Sequence, residues 1–416
     1  MKKSLLLLVA ALTTLVASAH DFEVDGIYYN ITSEADKTVE VTYKGDDPYQ
    51  VGSYSGSITL PATVTYDEVM YSVTSIGNGA FMNCDNLTAI TIPEGVTTIG
   101  NAAFGYCRNL NSITIPQSVT SIACYAFDRC ISLTSVTLPE GLTTIREFTF
   151  QLCINLTSVT LPESLTTIEG HAFYECYNLT SITLPQGLTT IGVEAFAACH
   201  SLTSITIPED VTSIGDASFA ECRSLTSVAL SRGLTMIGNS TFSKCYSLTS
   251  ITIPEGVTSI GECAFFGCNN LTAVNIPQSV TSIGDASFAA CTSLTSITVP
   301  EGVTSIGNTA FADCFGITFI TCKAAIPPTI GDSYTFSGVD KSIPVHVPTG
   351  SIEAYKTATG WSDFTNYVGI ETGIEHPEIR NHKSEITYDL NGRRVTDPES
   401  RKGGVYIVGG RKVVIK

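Results

Sequence analysis

The chain has 416 residues, of which 22 are Lys or Arg and 39 are Asp or Glu, so its formal net charge is −17. That excess of carboxylates repels nucleic acid and anionic lipid surfaces and excludes polyanions as partners. Length alone suggests two or three domains, unless the chain is a repeat array.

In chain order, the first segment is "MKKSLLLLVAALTTLVASAH". Lys2 and Lys3 precede an apolar run from Leu5 to Val16, and Ala17-Ser18-Ala19 supplies a small-residue cleavage site. This order reads as a secretory signal over residues 1–19, with the mature chain beginning at His20. The run is too short to span a bilayer, and no later stretch is long enough. No cysteine follows the cleavage site to carry a lipid anchor. Residues 20–72 then read as an N-terminal β cap. "FEVDGIYYNITSEADKTVEVTYKG" places a turn at Asp25-Gly26 between β-rich flanks.

Residues 73–322 carry an exact repeat. Cysteine stands at Cys84, Cys107, Cys130, Cys153, Cys176, Cys199, Cys222, Cys245, Cys268, Cys291 and Cys314, ten steps of 23 residues without an insertion. Phenylalanine precedes each by three positions, from Phe81 to Phe311, and leucine follows by three, with Ile317 closing the series. Aliphatics recur six, eight, twelve and fifteen residues past the cysteine, and proline at nine, as in Ile182, Leu184, Pro185, Leu188 and Ile191. A period of this size predicts a solenoid of stacked coils. The fold class is a mainly β repeat solenoid. Its parallel strands form from "SIT" and "TTI" segments, Pro-x-Gly turns end them, and short 3₁₀ turns at "AF" close each coil.

"LTSITLPQGL" fits the leucine-rich skeleton L-x-x-L-x-L, and the unit "CYNLTSITLPQGLTTIGVEAF" resembles the 23-residue leucine-rich repeat of BspA-like bacterial surface proteins. The resemblance covers residues 73–322. The position that carries Asn in ordinary leucine-rich repeats holds Gly95, Ser118 or Asp210, so the asparagine ladder of the wider family is expected to be absent. The resemblance implies a non-enzymatic binding scaffold outside the cell, with extracellular-matrix or cell-surface proteins as partners.

After Cys314 the period dies: Cys322 takes a strand-aliphatic position and Lys323 the proline's. Residues 323–369 read as a C-terminal cap, in which "VPTGSIEAYKTATGWSDF" sets Tyr355, Trp361 and Phe364 around a short helix begun at Ser351. Residues 370–383 are polar and aperiodic, a linker. Residues 384–416 form a small β module with hairpin turns at Asn391-Gly392 and Gly409-Gly410. From residue 370 on there are 9 basic and 7 acidic side chains, a composition that separates this module from the acidic array. It resembles the last part of the C-terminal sorting domains of Bacteroidetes type IX secretion, and is shorter than they usually are. A β module without a sorting role is the alternative.

The eleven lattice cysteines are a structural ladder. Stacked side chains one coil apart lie about 4.8 Å apart, too far for a disulfide's Cβ spacing of ~3.8 Å. Buried thiols pack as small hydrophobes. Cys124 and Cys263 fall off the lattice and are expected to be exposed. No motif assigns a catalytic residue, metal or cofactor. His171 and His200 are the histidines inside the array, and neither has a serine, cysteine or carboxylate beside it in a triad spacing. Glu94, Glu140, Glu163, Glu209, Glu255 and Glu301, interleaved with Gln117, Gln186 and Gln278, form a solvated ridge on the turns after proline; a weak Ca²⁺ edge is the sharper alternative. Thr183, Thr206 and Thr252 line an outward stripe that their β-branching explains without an ice-binding role.

Around each cysteine, by contrast, the side chains vary from copy to copy. Tyr106, Arg108, Tyr125, Phe148, His171, Tyr174, Tyr177, His200, Arg223 and Tyr246 are candidate partner-binding residues, with Arg146 and Phe266 of the same type. Aromatic and Arg side chains on surface turns are what protein interfaces use as anchors. The expected function is therefore adhesion of a secreted or surface-held protein to a matrix or cell-surface protein. Capture of a surface glycan for uptake is the alternative.

Overall fold

The structure is a computed structural model, and it describes residues 20–45, 52 and 54–371, together with the backbone of four strands between 387 and 415. The signal segment, most of the linker and the turns at Asn391-Gly392 and Gly409-Gly410 lie outside the described residues. Two units are present, one ending at Ile370 and one beginning at Glu371. In the second, Thr387–Asp389 pairs antiparallel with Arg394–Val395 and with Gly404–Val408, and the latter pairs antiparallel with Arg411–Ile415. Among the described residues no helix is long and apolar enough to cross a membrane.

The first unit opens with a sheet that covers the end of the array. Strands β1 (Phe22–Val24) and β2 (Ile27–Ser33) form a hairpin around Asp25 and Gly26, both at positive φ as a two-residue hairpin turn requires. Strand β3 (Thr38–Thr42) pairs antiparallel with β2 and parallel with β6 (Val69–Ile76), and β6 continues into the first coil by pairing with Thr98–Ile99. Strand β4 (Gly56–Thr59) begins the other ladder against Leu87–Thr91, and β5 (Thr63–Tyr66) folds back on β6.

From there each coil repeats one plan. A short strand such as Ser204–Thr206 turns its central aliphatic inward, and a second such as Thr190–Ile191 does the same. Both pair in parallel with residues 23 positions on: Ser135 with Ser158, Thr190 with Ser213. Two columns of threonine reinforce the stack. Thr157 and Thr189 each donate a hydroxyl to the carbonyl of the threonine one coil earlier, at 3.0 Å, alongside their backbone N–H bonds to the same oxygens. The "SIT" segment at 181–183 is not a strand. The backbone bonds into and out of Thr180 are stretched to 3.4 and 3.3 Å, and the ladder breaks again between Ser227–Ala229 and Ser250–Thr252, where Thr249 reaches the Thr226 carbonyl at 3.4 Å.

The arc that closes each coil differs from the expected 3₁₀ turn. Alternate N–H groups bond within the coil and across to the next one. Tyr174 and Cys176 donate back to His171 and Phe173, whereas His171, Phe173 and Glu175 donate forward to Val193, Ala195 and Ala197. This alternation needs a left-handed residue five and one positions before each cysteine, which turns the N–H along the solenoid axis. His171 (φ 57°) and Glu175 (φ 58°) are one such pair, and the pattern recurs from Gly79 and Asn83 to Thr309 and Asp313. For a residue other than glycine this conformation costs ~1 kcal/mol; the three inter-coil hydrogen bonds of such an arc offset it.

Inside, the phenylalanines form one column. From Phe81 through Phe311 to Phe336, successive rings lie 5.1–5.7 Å apart with planes within 15°. Phe336 belongs to a coil that the sequence pattern hides. The period does not end at Cys314; it runs once more with one extra residue before Ile330, which pairs with Ile306, and a second before Phe336, which stacks on Phe311. Tyr54 tops the column at Phe81, and Trp361, Tyr355 and Phe364 close it at Phe336. The short helix of that cap is α1 (Ile352–Thr357).

The lattice cysteines are buried thiols beside this column. From Cys107 to Cys314 each Sγ–H donates to the carbonyl of the phenylalanine 26 residues earlier, at 3.0–3.3 Å. The cysteine is thus an apolar brick with one satisfied donor. Burial pushes the thiols up, to about 12 for Cys222, which keeps that donor protonated. Cys124 and Cys263 are half-buried rather than exposed, because each sits in a column that packs on its neighbour coils. Their places are six and five residues before the lattice cysteine.

Candidate binding surface

The variable side chains lie on the closing arcs, and two columns organise them. Six residues before the cysteine, Asn78, Asp216, Asn239 and Asp285 accept a backbone N–H from the next coil at 2.8–2.9 Å. A polar ladder therefore exists, but not at the position where ordinary leucine-rich repeats keep asparagine. Its longest run without Asn or Asp is Cys124, Glu147, Gly170 and Val193. Over the same four coils the neighbouring column, elsewhere small, carries Tyr125, Phe148, His171 and Glu194. Tyr125 stacks on Phe148 at 4.6 Å and Phe148 on His171 at 4.5 Å, and His171 Nε2 lies 3.5 Å from Glu194. Ring stacking takes over where side-chain to backbone bonding stops.

The column just after the cysteine supplies a second wall. Tyr177 stacks on His200 at 4.7 Å with planes 4° apart, and Arg223 follows one coil on. Between the two columns lies a concavity of about 420 Å³, lined by Tyr174, Tyr177, His200 and Arg223, by Glu175, Glu194 and Glu221, and floored by alanines. The floor is deep because Ala197 and Ala220 occupy the place that holds Tyr174 in another coil, Ala198 that of Lys244, and Ala217 that of His171.

Four of the sequence-predicted residues, Tyr174, Tyr177, His200 and Arg223, thus meet in one site. His171 touches its rim, edge-on to Tyr174 at 5.6 Å, and Phe148 and Tyr125 continue its column. Tyr106, Arg108 and Tyr246 do not line the concavity. Tyr106 lies under the guanidinium of Arg129 at 5.3 Å, and Arg108 pairs with Asp85 at 3.2 Å. Tyr246 stands exposed one coil past Arg223. The alanine floor and Glu194 and Glu221 were not singled out from the sequence. The signal for them is the local run of small residues in "AFAAC" and "SFAEC".

Charge in the site is unevenly neutralised. Glu221 bonds Lys244 Nζ at 2.7 Å and Arg223 at 2.8 Å, which holds its carboxyl below the usual range. The hydroxyl of Tyr177 donates to Glu175, and this bond, with burial, raises the phenol to about 12. Burial, and after it Arg223, lowers His200, so its ring is neutral at pH 7. Along the Glu and Gln ridge on the opposite turns, Glu140, Glu209 and Gln117 accept backbone N–H groups of the next coil at 3.0–3.2 Å. Among the described residues no group of three His, Cys, Asp or Glu could hold a metal ion.

Asp128, buried beside Arg129, accepts from Gln151 Nε2 at 3.2 Å, and burial pushes its carboxyl up from 3.8 to about 6. The folded state holds this proton more tightly than the unfolded one, so the group's contribution is largest below pH ~4 and is lost as pH rises to about 6. Asp128→Asn is expected to raise stability at pH 7.5 by up to ~3 kcal/mol and to flatten the dependence of the urea midpoint between pH 4 and 6. An unchanged slope would contradict the assignment.

The family model of the BspA type leucine rich repeat region matches six copies, over residues 74–202 and 212–343. The chain belongs to the BspA-type leucine-rich-repeat family. One solved structure agrees with that membership. A leucine-rich repeat protein from Bacteroides ovatus ATCC 8483 is 30% identical, spans 85% of this chain and 100% of its own, and superposes with a TM-score of 0.55. A leucine rich cell surface protein from Faecalibacterium prausnitzii A2-165 is 30% identical over 66% of this chain and 93% of its own, with a TM-score of 0.37. The pneumococcal vaccine antigen PcpA shares 17% identity over 84% of this chain and 98% of its own, at a TM-score of 0.50, a likeness of fold alone. No curated protein sequence matches the chain. In this BspA-type array the surface that varies is the closing arc, while strands, phenylalanines and cysteines repeat.

Proposed function

We propose that this BspA-type protein is exported, held at the cell surface or released, and binds a protein partner on the closing arcs between Tyr125 and Tyr246. The observation that carries this reading is the convergence of Tyr174, Tyr177, His200 and Arg223, four variable side chains on an otherwise invariant lattice, around one 420 Å³ concavity. Backbone rigidity supports it, since each arc is pinned to its neighbours by hydrogen bonds at alternate residues. A preorganised surface loses little entropy on binding. Family membership and the signal-like residues 1–19 support an extracellular location. We read the partner as a matrix or neighbouring-cell protein, and residues 384–416 as the end of a sorting domain. Tyr106, Arg108 and Tyr246 belong to the outer parts of the same surface.

A glycan partner is favoured by one feature, the Tyr177 and His200 rings beside the concavity. The test is to present the full chain to immobilised matrix proteins and to a glycan array at two salt concentrations. Saturable protein binding that Ala220→Tyr weakens at least tenfold is the expected result. That variant fills the concavity without harming the fold, because Tyr174 and Phe266 hold the same place in other coils. Saturable glycan binding with no protein binding would overturn the protein reading.

A further inference from the structure

The concavity between Tyr174 and Arg223 has a chemistry of its own. Three carboxylates, Glu175, Glu194 and Glu221, face one lining cation, Arg223, and the chain as a whole carries −17. The three are not equivalent. Glu221 is already held by Arg223 and Lys244. Glu194 has the 3.5 Å contact with His171. Glu175 accepts the phenol of Tyr177, and among the described residues no lysine or arginine pairs with it. A carboxylate flanked by tyrosine rings and left without a counter-charge, at the edge of an apolar floor, calls for a cation from outside.

Resting on the reading of this surface as the docking face, we propose that the concavity receives one cationic side chain, a lysine or arginine, presented by the partner protein. Its aliphatic stem lies over the methyl groups of Ala197, Ala198, Ala217 and Ala220, and its charged head meets Glu175 and Glu194 beneath the tyrosines. Such side chains carry an apolar stem and a charged tip, and the site offers those two surfaces in that order. His200 Nε2 is buried in the same wall without a hydrogen-bond partner among the described residues. An anion is disfavoured by the carboxylates. A sugar ring finds less to use, because Tyr177 is committed to Glu175 through its hydroxyl and to His200 through its ring face.

The experiment uses the full chain with ¹³C-methyl alanine. It is titrated with Nα-acetyl-arginine methylamide, with Nα-acetyl-lysine methylamide, with the uncharged isostere Nα-acetyl-citrulline methylamide, and with N-acetylglucosamine. Saturable shifts of the Ala197 and Ala220 methyl signals are expected with at least one cation, and citrulline is expected to bind roughly tenfold or more weakly. Glu175→Gln should weaken the cation by a similar factor, and its fold is safe because the same left-handed column accepts Leu152 and Ala198. Equal binding of citrulline, no effect of Glu175→Gln, shifts with the sugar alone, or no saturable shift with either cation overturns the proposal. The broader reading fails separately. If a captured partner is lost with Ala220→Tyr but kept with Glu175→Gln, the surface stands and the cation site does not; if both variants keep it, both readings fall.

Discussion

Phe196→Ala is expected to destabilise the array by about 3–5 kcal/mol and to divide its unfolding. Phe196 is fully buried, and its ring lies between Phe173 at 5.2 Å and Phe219 at 5.5 Å. Truncation opens a void in the ring column, and the coil backbone, locked by bonds on both sides, cannot collapse into it. The carbonyl of residue 196 survives the change, so the thiol of Cys222 keeps its acceptor at 3.2 Å. The loss is therefore one of packing. Because stability in a solenoid is a sum of coil and interface terms, a broken interface uncouples the two sides. The single tryptophan, Trp361 in the C-terminal cap, reports on one side. In urea, the fluorescence transition is expected to separate from the far-UV circular dichroism transition in the variant. A cost below about 1 kcal/mol would mean that the ring column is not a principal source of burial.

The periodic part of this structure was legible because burial repeats with the chain. A residue buried at the same place in every coil, such as Cys176 or Phe173, meets the same neighbours each time, so its type recurs every 23 positions. Other features were hidden for physical reasons. The last coil escaped notice because two extra residues shift its register and Lys323 stands where proline ends the strand elsewhere. The left-handed positions escaped because Tyr106, Leu152 and Glu175 fill them rather than glycine; the inter-coil bonds, not the residue type, set that backbone. The site was half legible. Large variable residues such as Tyr174 and His200 declare themselves against a regular background. A concavity is made by what is small, and Ala197, Ala217 and Ala220 look unremarkable until stacking places them side by side. The role of the cysteine was legible only as burial. Its hydrogen bond to a carbonyl 26 residues earlier depends on how one coil lies over the next.

Removing the cap tests the other end of the same argument. Trp361 is fully buried, packs on Phe336 at 5.3 Å and on Tyr355 at 5.2 Å, and donates Nε1–H to the carbonyl of Pro328 at 3.0 Å. Trp361→Ala is expected to cost about 3–5 kcal/mol through the cavity, and a further ~1 kcal/mol or more for the Pro328 carbonyl left without its donor. The damage should be local. Hydrogen exchange is expected to lose protection over Phe319–Cys322 and Pro344–Pro348, the strands that the cap covers, while the coils around Phe196 keep theirs. Exposure of Phe336, whose ring ends the column, presents an apolar end face to solvent, and such a face associates with others of its kind. Light scattering of the variant should therefore rise with protein concentration where that of the parent does not. If protection fell evenly from Phe81 to Phe336 instead, the array would be one cooperative block, and the separation of transitions expected for Phe196→Ala would fail with it.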